Sequence, residues 1–200
     1  CSGLLDASIL QVLTAQGAHA ASCHPVLSFA DVNLAANAIP GAWCGIEGDA
    51  CATETLEPLF RGIGFRPFRI KTEGKSLYHA AAVFSCNYAV TLRAVSLACL
   101  EHAGIDASLG QQLLTPLLEG TVNNLAHHSP AQALTGPIAR GDTDTVKAHL
   151  TALSEDEPDL VTLYRLLARH TLPLAEQQGK ADKHNLATLK RLLEQGNQHD

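Results

Sequence analysis

Three side chains in this sequence could move a proton, and their neighbours indicate where. His24 stands before Pro25, directly after the apolar stretch "AHAASC" (18–23). Imidazole titrates near neutrality, so a histidine at the exit of a strand is a candidate general acid or base. Lys75 and His79 lie in "KSLYHAAAVFSCN" (75–87), which ends on Asn87. At about 100° per helical residue, His79, Ala82, Cys86 and Arg93 each fall within about 40° of Lys75. Asn87 falls about 80° from His79, on the shoulder of that face. Lys75 and His79 can therefore look into one cleft, with Ala80 to Ala82 letting a neighbour approach. Each residue also has a plainer reading. His24 could tie down its loop, Lys75 could reach to solvent from a first turn, and Asn87 could be a buried amide bonded to backbone.

A second group lies in "ALTGPIARGD" (133–142). Arg140 could clamp an anionic substrate or pair with an acid. Gly136 and Gly141 are expected to take backbone angles that other residues resist. Asp142 or Asp144 can cap the helix that follows. The RGD triplet is too short to signal adhesion. The ten histidines form no HExxH or similar pattern, so no metal is expected. His127-His128 suits a helix end, where the dipole favours positive charge. A glycine-rich GxGxxG phosphate loop is missing. "RGIGFRP" (61–67) has two of the glycines, but it follows a helix and precedes a strand, the wrong context.

The elements that must position these residues change character along the chain. Leu4 to Gln16 has a helical period, with Ser2 or Gly3 as cap and Gly17 as stop. Strands are expected at 18–23, 42–48 and 65–70, with a helix after Asp49 that must accommodate Pro58. Beyond "KTEGK" (71–75) the pattern is helical only: 76–103, 107–127, 143–153, 158–178 and 182–195. Pro116 is expected to kink or restart the second of these. The reading is α/β then all-α, half of a doubly wound sheet over residues 1–72 followed by a helical bundle over 73–200. In open α/β sheets, ligands bind outside the carboxyl ends of the strands. His24, Lys75 and His79 are thus expected to converge on one pocket.

Composition narrows the class. At 46% hydrophobic and 17% charged, the chain is globular rather than disordered. A net charge of −6 with no basic patch argues against nucleic acid. The six cysteines, at 1, 23, 44, 51, 86 and 99, make no CxxC pair, and several sit in apolar runs. A reducing cytoplasm is the expected home. Every candidate 18-residue apolar run is interrupted by Lys, His, Asn or Arg, so no membrane span is expected. The helix 76–103 is nevertheless apolar nearly all round, which predicts burial in a bundle or a homodimer. The chain starts at Cys1 and contains no Met, which suggests an absent N-terminal segment.

Taken together, "CSG" (1–3), "HPVLSFAD" (24–31), "IEGD" (46–49), "KSLYHAAAVFSCN" (75–87), "AGI" (103–105), "ALTGPIARGD" (133–142) and "TVKAHLTAL" (145–153) resemble a bacterial family that joins a Rossmann-like domain to a C-terminal helical domain of unknown function. This family is similar to the 6-phosphogluconate dehydrogenase-like group, with ketopantoate reductase, pyrroline-carboxylate reductase and prephenate dehydrogenase. The resemblance implies an NADP- or NAD-dependent oxidoreductase acting on a small hydroxy, keto or imino substrate in an interdomain cleft. The alternative is a non-catalytic binding or dimerisation module that kept the fold. By the same resemblance, His24-Pro25 looks like the His-Pro of prephenate dehydrogenases. Lys75 and Asn87 look like the Lys and Asn on the interdomain helix of hydroxyacid dehydrogenases, although twelve positions apart here. Ser2 and Gly3 would approach the nicotinamide. The missing phosphate loop would belong to about 60–90 residues preceding Cys1, two to three ~30-residue βαβ units, so this chain alone is expected to bind either cofactor weakly or not at all.

Overall fold

The computed structural model describes residues 2–27 and 32–194, without the side chains of 32–34 and 156. Residues 28–31, the second half of the resembling stretch 24–31, lie outside the described residues. The described residues divide into two compact units, Cys1–Val95 and Ser96–Asp200.

The first unit is built on a three-stranded sheet in sequence order, β1 (Ala21–Pro25), β2 (Trp43–Gly48) and β3 (Arg66–Arg69). β2 and β3 are parallel and joined by a helix, a βαβ crossover. β1 is antiparallel to β2, so the sheet is mixed, and its carboxyl end lies at the amino end of β2. Alternation along the strands gives the sheet two faces. On one, Cys23, Cys44 and Ile46 pack with Phe65, Leu56 and Phe60. Leu56 and Phe60 belong to the helix Ala50–Gly62. On the other lie Ser22, His24, Gly45, Glu47 and Phe68.

Several local expectations change. The expected helix 4–16 is a 3₁₀ turn, Ala7–Leu10, and one turn of α-helix, α1 (Gln11–Thr14). The Ser2 hydroxyl accepts from the Leu4 and Leu5 N–H groups, and Asp6 caps the 3₁₀ turn through Ser8 N–H. The first strand begins and ends later than its apolar pattern suggests, so His24 lies inside it. After α2 (Val32–Asn37), the crossover helix α3 (Ala50–Gly62) runs through Pro58. Asp49 occupies the N-cap position of α3, but its carboxylate accepts from Ala20 N–H at 2.8 Å instead.

A 3₁₀ turn, Thr72–Gly74, leads into the long helix. It comprises α4 (Lys75–Ala82), a π-helical stretch (Val83–Asn87) and α5 (Tyr88–His102). Among the described residues this helix, Thr72–His102, is long and apolar enough to cross a membrane by length and composition. The polar residues that interrupt every apolar run are spaced singly along this helix and barely lower its mean hydropathy.

The second unit takes in the end of α5 and continues with α6 (Ala107–His127), α7 (Pro130–Ala133), α8 (Pro137–Arg140), α9 (Thr143–Asp156), α10 (Pro158–Gln178) and α11 (Lys183–Glu194). Its core is Val146 and Leu150 of α9, Leu172 and Ala175 of α10, and Leu189 and Leu193 of α11. Pro116 neither ends nor restarts α6. The stretch 133–142 holds the last residue of α7 and the whole of α8. Gly136 and Gly141 hold φ of 91° and 69°, the left-handed region expected of them. Asp142 caps α9 through Thr145 N–H.

Candidate functional site

The sheet face opposite α3 is covered by α4, and the contacts across it are polar. Glu47 sits in an otherwise apolar strand, where a carboxylate is costly unless paired. Its partner is Lys75: Nζ donates to Glu47 Oε1 at 2.8 Å, with the two side chains 2% and 1% exposed. Lys75 also donates to the Ser22 hydroxyl, across the strand pair from Glu47. The carboxylate accepts further from Ala7 N–H at 3.1 Å and from the Thr72 hydroxyl at 3.2 Å. This buried clasp ties the N-terminal segment, β1, β2 and the start of α4 together. Lys75 therefore reaches neither solvent nor an open cleft. Its ammonium is spent on Glu47 and Ser22.

One turn further along α4, Tyr78 and His79 meet His24. The Tyr78 hydroxyl lies 2.9 Å from His24 Nδ1. The rings of His24 and His79 meet edge to face at 6.0 Å, and those of Tyr78 and Phe68 do the same. Gly3 closes the cluster. A Cβ built there would come within 2.3 Å of His79 Nδ1 and 3.0 Å of His24 Nε2, so only glycine lets the backbone pass so close. His79 Nδ1 is buried without a hydrogen-bond partner. Burial, then the electrostatic influence of His79 and Lys75, holds the His24 imidazole below the usual histidine pKa, which favours its neutral form. Burial raises the Tyr78 phenol, which stays protonated. A partly buried, neutral imidazole with a fixed Nδ1 contact can accept or return a proton at Nε2.

Of the residues singled out from sequence, Gly3, His24 and His79 thus come together, with Ser2 next to them in the chain. Lys75 is adjacent but turned into its clasp. Asn87 is exposed at the end of the π stretch. The helical projection that placed it near His79 assumed an unbroken α-helix. One residue inserted in a π turn rotates everything beyond it by about 100°, so the alignment of Cys86, Asn87 and Arg93 with Lys75 does not hold. Arg140 lies in the second unit, exposed, with Asp142 3.7 Å away. A cavity of about 390 Å³ opens beside the N-terminal segment, lined by Ser2, Leu5, Ala7, Ser22, Cys23 and Phe60 among others. His24, Lys75 and His79 are not among its lining residues, so the three do not share it. The carboxyl-end rule does not locate His24 either, because β1 runs against its neighbours. Tyr78, Ser22 and Glu47 were not singled out from sequence. The available signal for Glu47 was a lone acid in a buried strand, and for Tyr78 its place beside His79.

Residues 42–171 match the family described as "Domain of unknown function (DUF2520)". The chain belongs to this family. Among solved structures, the chain aligns with protein TM1727 from Thermotoga maritima. That match is 27% identical with a TM-score of 0.76, covering 89% of this chain and 68% of that one. It also aligns with BF3122 from Bacteroides fragilis, titled a candidate NADP oxidoreductase, at 21% identity and a TM-score of 0.68, over 84% of this chain and 62% of that one. The chain therefore spans about two thirds of the length of each. Among curated proteins none matches. The shared architecture is a Rossmann-like α/β portion followed by a helical region.

A Rossmann-like fold implies a dinucleotide, whose pyrophosphate needs donors held free for it. The Leu4 and Leu5 N–H groups are already given to the Ser2 hydroxyl, and His79 fills the space beside Gly3. The turn at Ser2–Leu5 therefore does not fit a pyrophosphate as a cradle of free backbone donors.

Proposed function

We infer that this chain is the substrate-side part of an NAD(P)-dependent oxidoreductase acting on a small hydroxy, keto or imino compound, with His24 as the proton-transferring group. The observation that carries the reading is the convergence of Gly3, His24, Tyr78 and His79 on one sheet face, with His24 held neutral by its surroundings. A candidate NADP oxidoreductase among the similar folds supports the class. A bound nicotinamide would supply or take the hydride. This chain's own part is the proton. In the oxidising direction His24 Nε2 accepts the proton of the substrate hydroxyl, and in the reducing direction it returns one. His79 narrows the approach to Nε2, and the Lys75–Glu47 clasp keeps α4 in place. The test is a screen of small 2-hydroxy, 2-keto and imino acids with NADH and NADPH, following nicotinamide absorbance, on protein carrying the whole reading frame. His24→Gln should lower kcat by about 10²–10⁴-fold. Unchanged kcat and KM would remove His24 from the chemistry.

The assembly reading is a homodimer through the helices. Leu77, Phe84 and Val90 are 79%, 69% and 72% exposed along the long helix of the first unit. In the second unit Leu113, Leu117, Val122 and Leu125 are exposed along α6. Exposed apolar helix faces of this extent call for a partner. A second copy is favoured over a bilayer because the helix's first turn is locked to the sheet by Lys75, and Arg93 interrupts its outer half. Light scattering on the eluting protein, with and without detergent, decides. A stable monomer in plain buffer, or solubility only in detergent, removes the dimer reading.

A further inference from the structure

We propose that Tyr78 is a positioning residue for His24: its hydroxyl oxygen accepts the Nδ1 proton of the neutral imidazole, which leaves the lone pair on Nε2. The proposal rests on the reading of His24 as the proton-transferring group. In a neutral imidazole one nitrogen carries the proton, and the hydrogen bond made at one nitrogen decides the state of the other. The geometry points to Nδ1. A proton there has an oxygen acceptor at 2.9 Å. At Nε2 the structure shows no hydrogen bond among the described residues, so a proton there would have no protein acceptor.

Tyr78 is itself fixed. Its ring stands edge to face against Phe68 at 6.0 Å and against His24 at 5.5 Å. Its hydroxyl lies over Gly45, where a Cβ would sit 3.2 Å away. Gly45 is also the residue paired with His24 across β1 and β2. One strand pair thus sets both the imidazole and the space for the phenol. A larger residue at 45 would collide first with Ile70, 2.3 Å from the Cβ position. Tyr78 touches no reacting atom in this scheme. It selects the tautomer in which Nε2 can take a proton.

The test reads the tautomer directly. Long-range ¹H–¹⁵N correlation spectra of the labelled chain are recorded at about pH 8, above the ordinary histidine pKa. The His24 signals are identified by their loss in His24→Gln. The expected result is a single neutral tautomer, with Nδ1 protonated and Nε2 bare. Tyr78→Phe keeps the ring stack but removes the acceptor, and the ring should then pass to Nε2–H as the major form. A wild-type ring that is mainly Nε2–H overturns the proposal even if the variant fails to fold. So does a folded Tyr78→Phe chain with the wild-type pattern. Neither outcome depends on turnover, so the tautomer result and the kinetic test of His24 fail separately.

Discussion

Removing the Lys75 ammonium while leaving Glu47 is the sharpest perturbation available in the first unit. The pair is almost fully out of solvent. In Lys75→Met the Glu47 carboxylate would keep the Ala7 N–H and the Thr72 hydroxyl as donors but lose its only compensating charge. Breaking one side of a buried ion pair typically costs about 3–5 kcal/mol. For a unit of roughly 100 residues, each kcal/mol moves the midpoint by about 4–8 °C, so a fall of at least about 12 °C is expected. The chain has a single tryptophan, Trp43, on β2, so its fluorescence reports this unit. Urea unfolding followed at Trp43 gives the change in stability, provided that m is unchanged. The double variant Lys75→Met/Glu47→Leu removes both charges and should return to within about 1 kcal/mol of wild type or exceed it. A single variant within about 1 kcal/mol of wild type would refute the clasp. So would a double variant less stable than either single one.

Three further outcomes follow from the same geometry. Because the fold holds His24 below its ordinary pKa, the unfolded chain binds more protons just below about pH 6.5. Its contribution to stability is therefore complete above that pH and lost as pH falls toward the depressed value. Comparing His24→Gln with wild type by urea unfolding from about pH 7 to about pH 5 should show the slope only in the wild type. Cys44 is fully buried and its thiol is pushed up to about 11, so alkylation at neutral pH should label Cys51 and Cys86 and spare Cys44. Peptide mapping that finds Cys44 labelled first contradicts this. Calorimetric titration of this chain with NAD and NADP should give weak or no binding, and micromolar affinity would reveal a dinucleotide site outside the residues considered.

Much of the fold was legible because it rests on periodicity. The helices 107–127 and 158–178 were readable to the residue from caps, prolines and apolar spacing. The βαβ unit around Ala50–Gly62 was readable for the same reason. The strand direction of β1 was not, since apolar runs carry no sign. Nor was the start of that strand, because Ala18 and His19 fit a strand pattern without partners to pair with. At the site, His24 and His79 were visible as titratable residues near expected element ends. Lys75 was visible too, but its role depended on Glu47 twenty-eight positions earlier, and no local pattern encodes that pairing. Asn87 was misplaced for a different reason. Helical projection assumes a constant turn, and five residues here depart from it.

That departure has a consequence for how such a protein can change. An unbroken helix transmits any insertion or deletion along its whole length, so every side chain beyond the change is re-aimed together with its packing. The wide turn at Val83–Asn87 stores one extra residue between the two halves of the helix. The inner half is bolted to the sheet by Lys75, and its Tyr78 and His79 must not move. The outer half carries Val90 and Leu92, which answer to whatever covers them. Losing one codon within the wide turn would restore α-geometry and leave both halves facing as they do now, because the turn already absorbs that one residue. A one-residue change in length can thus be taken up at this point without re-aiming the side chains on either side of it.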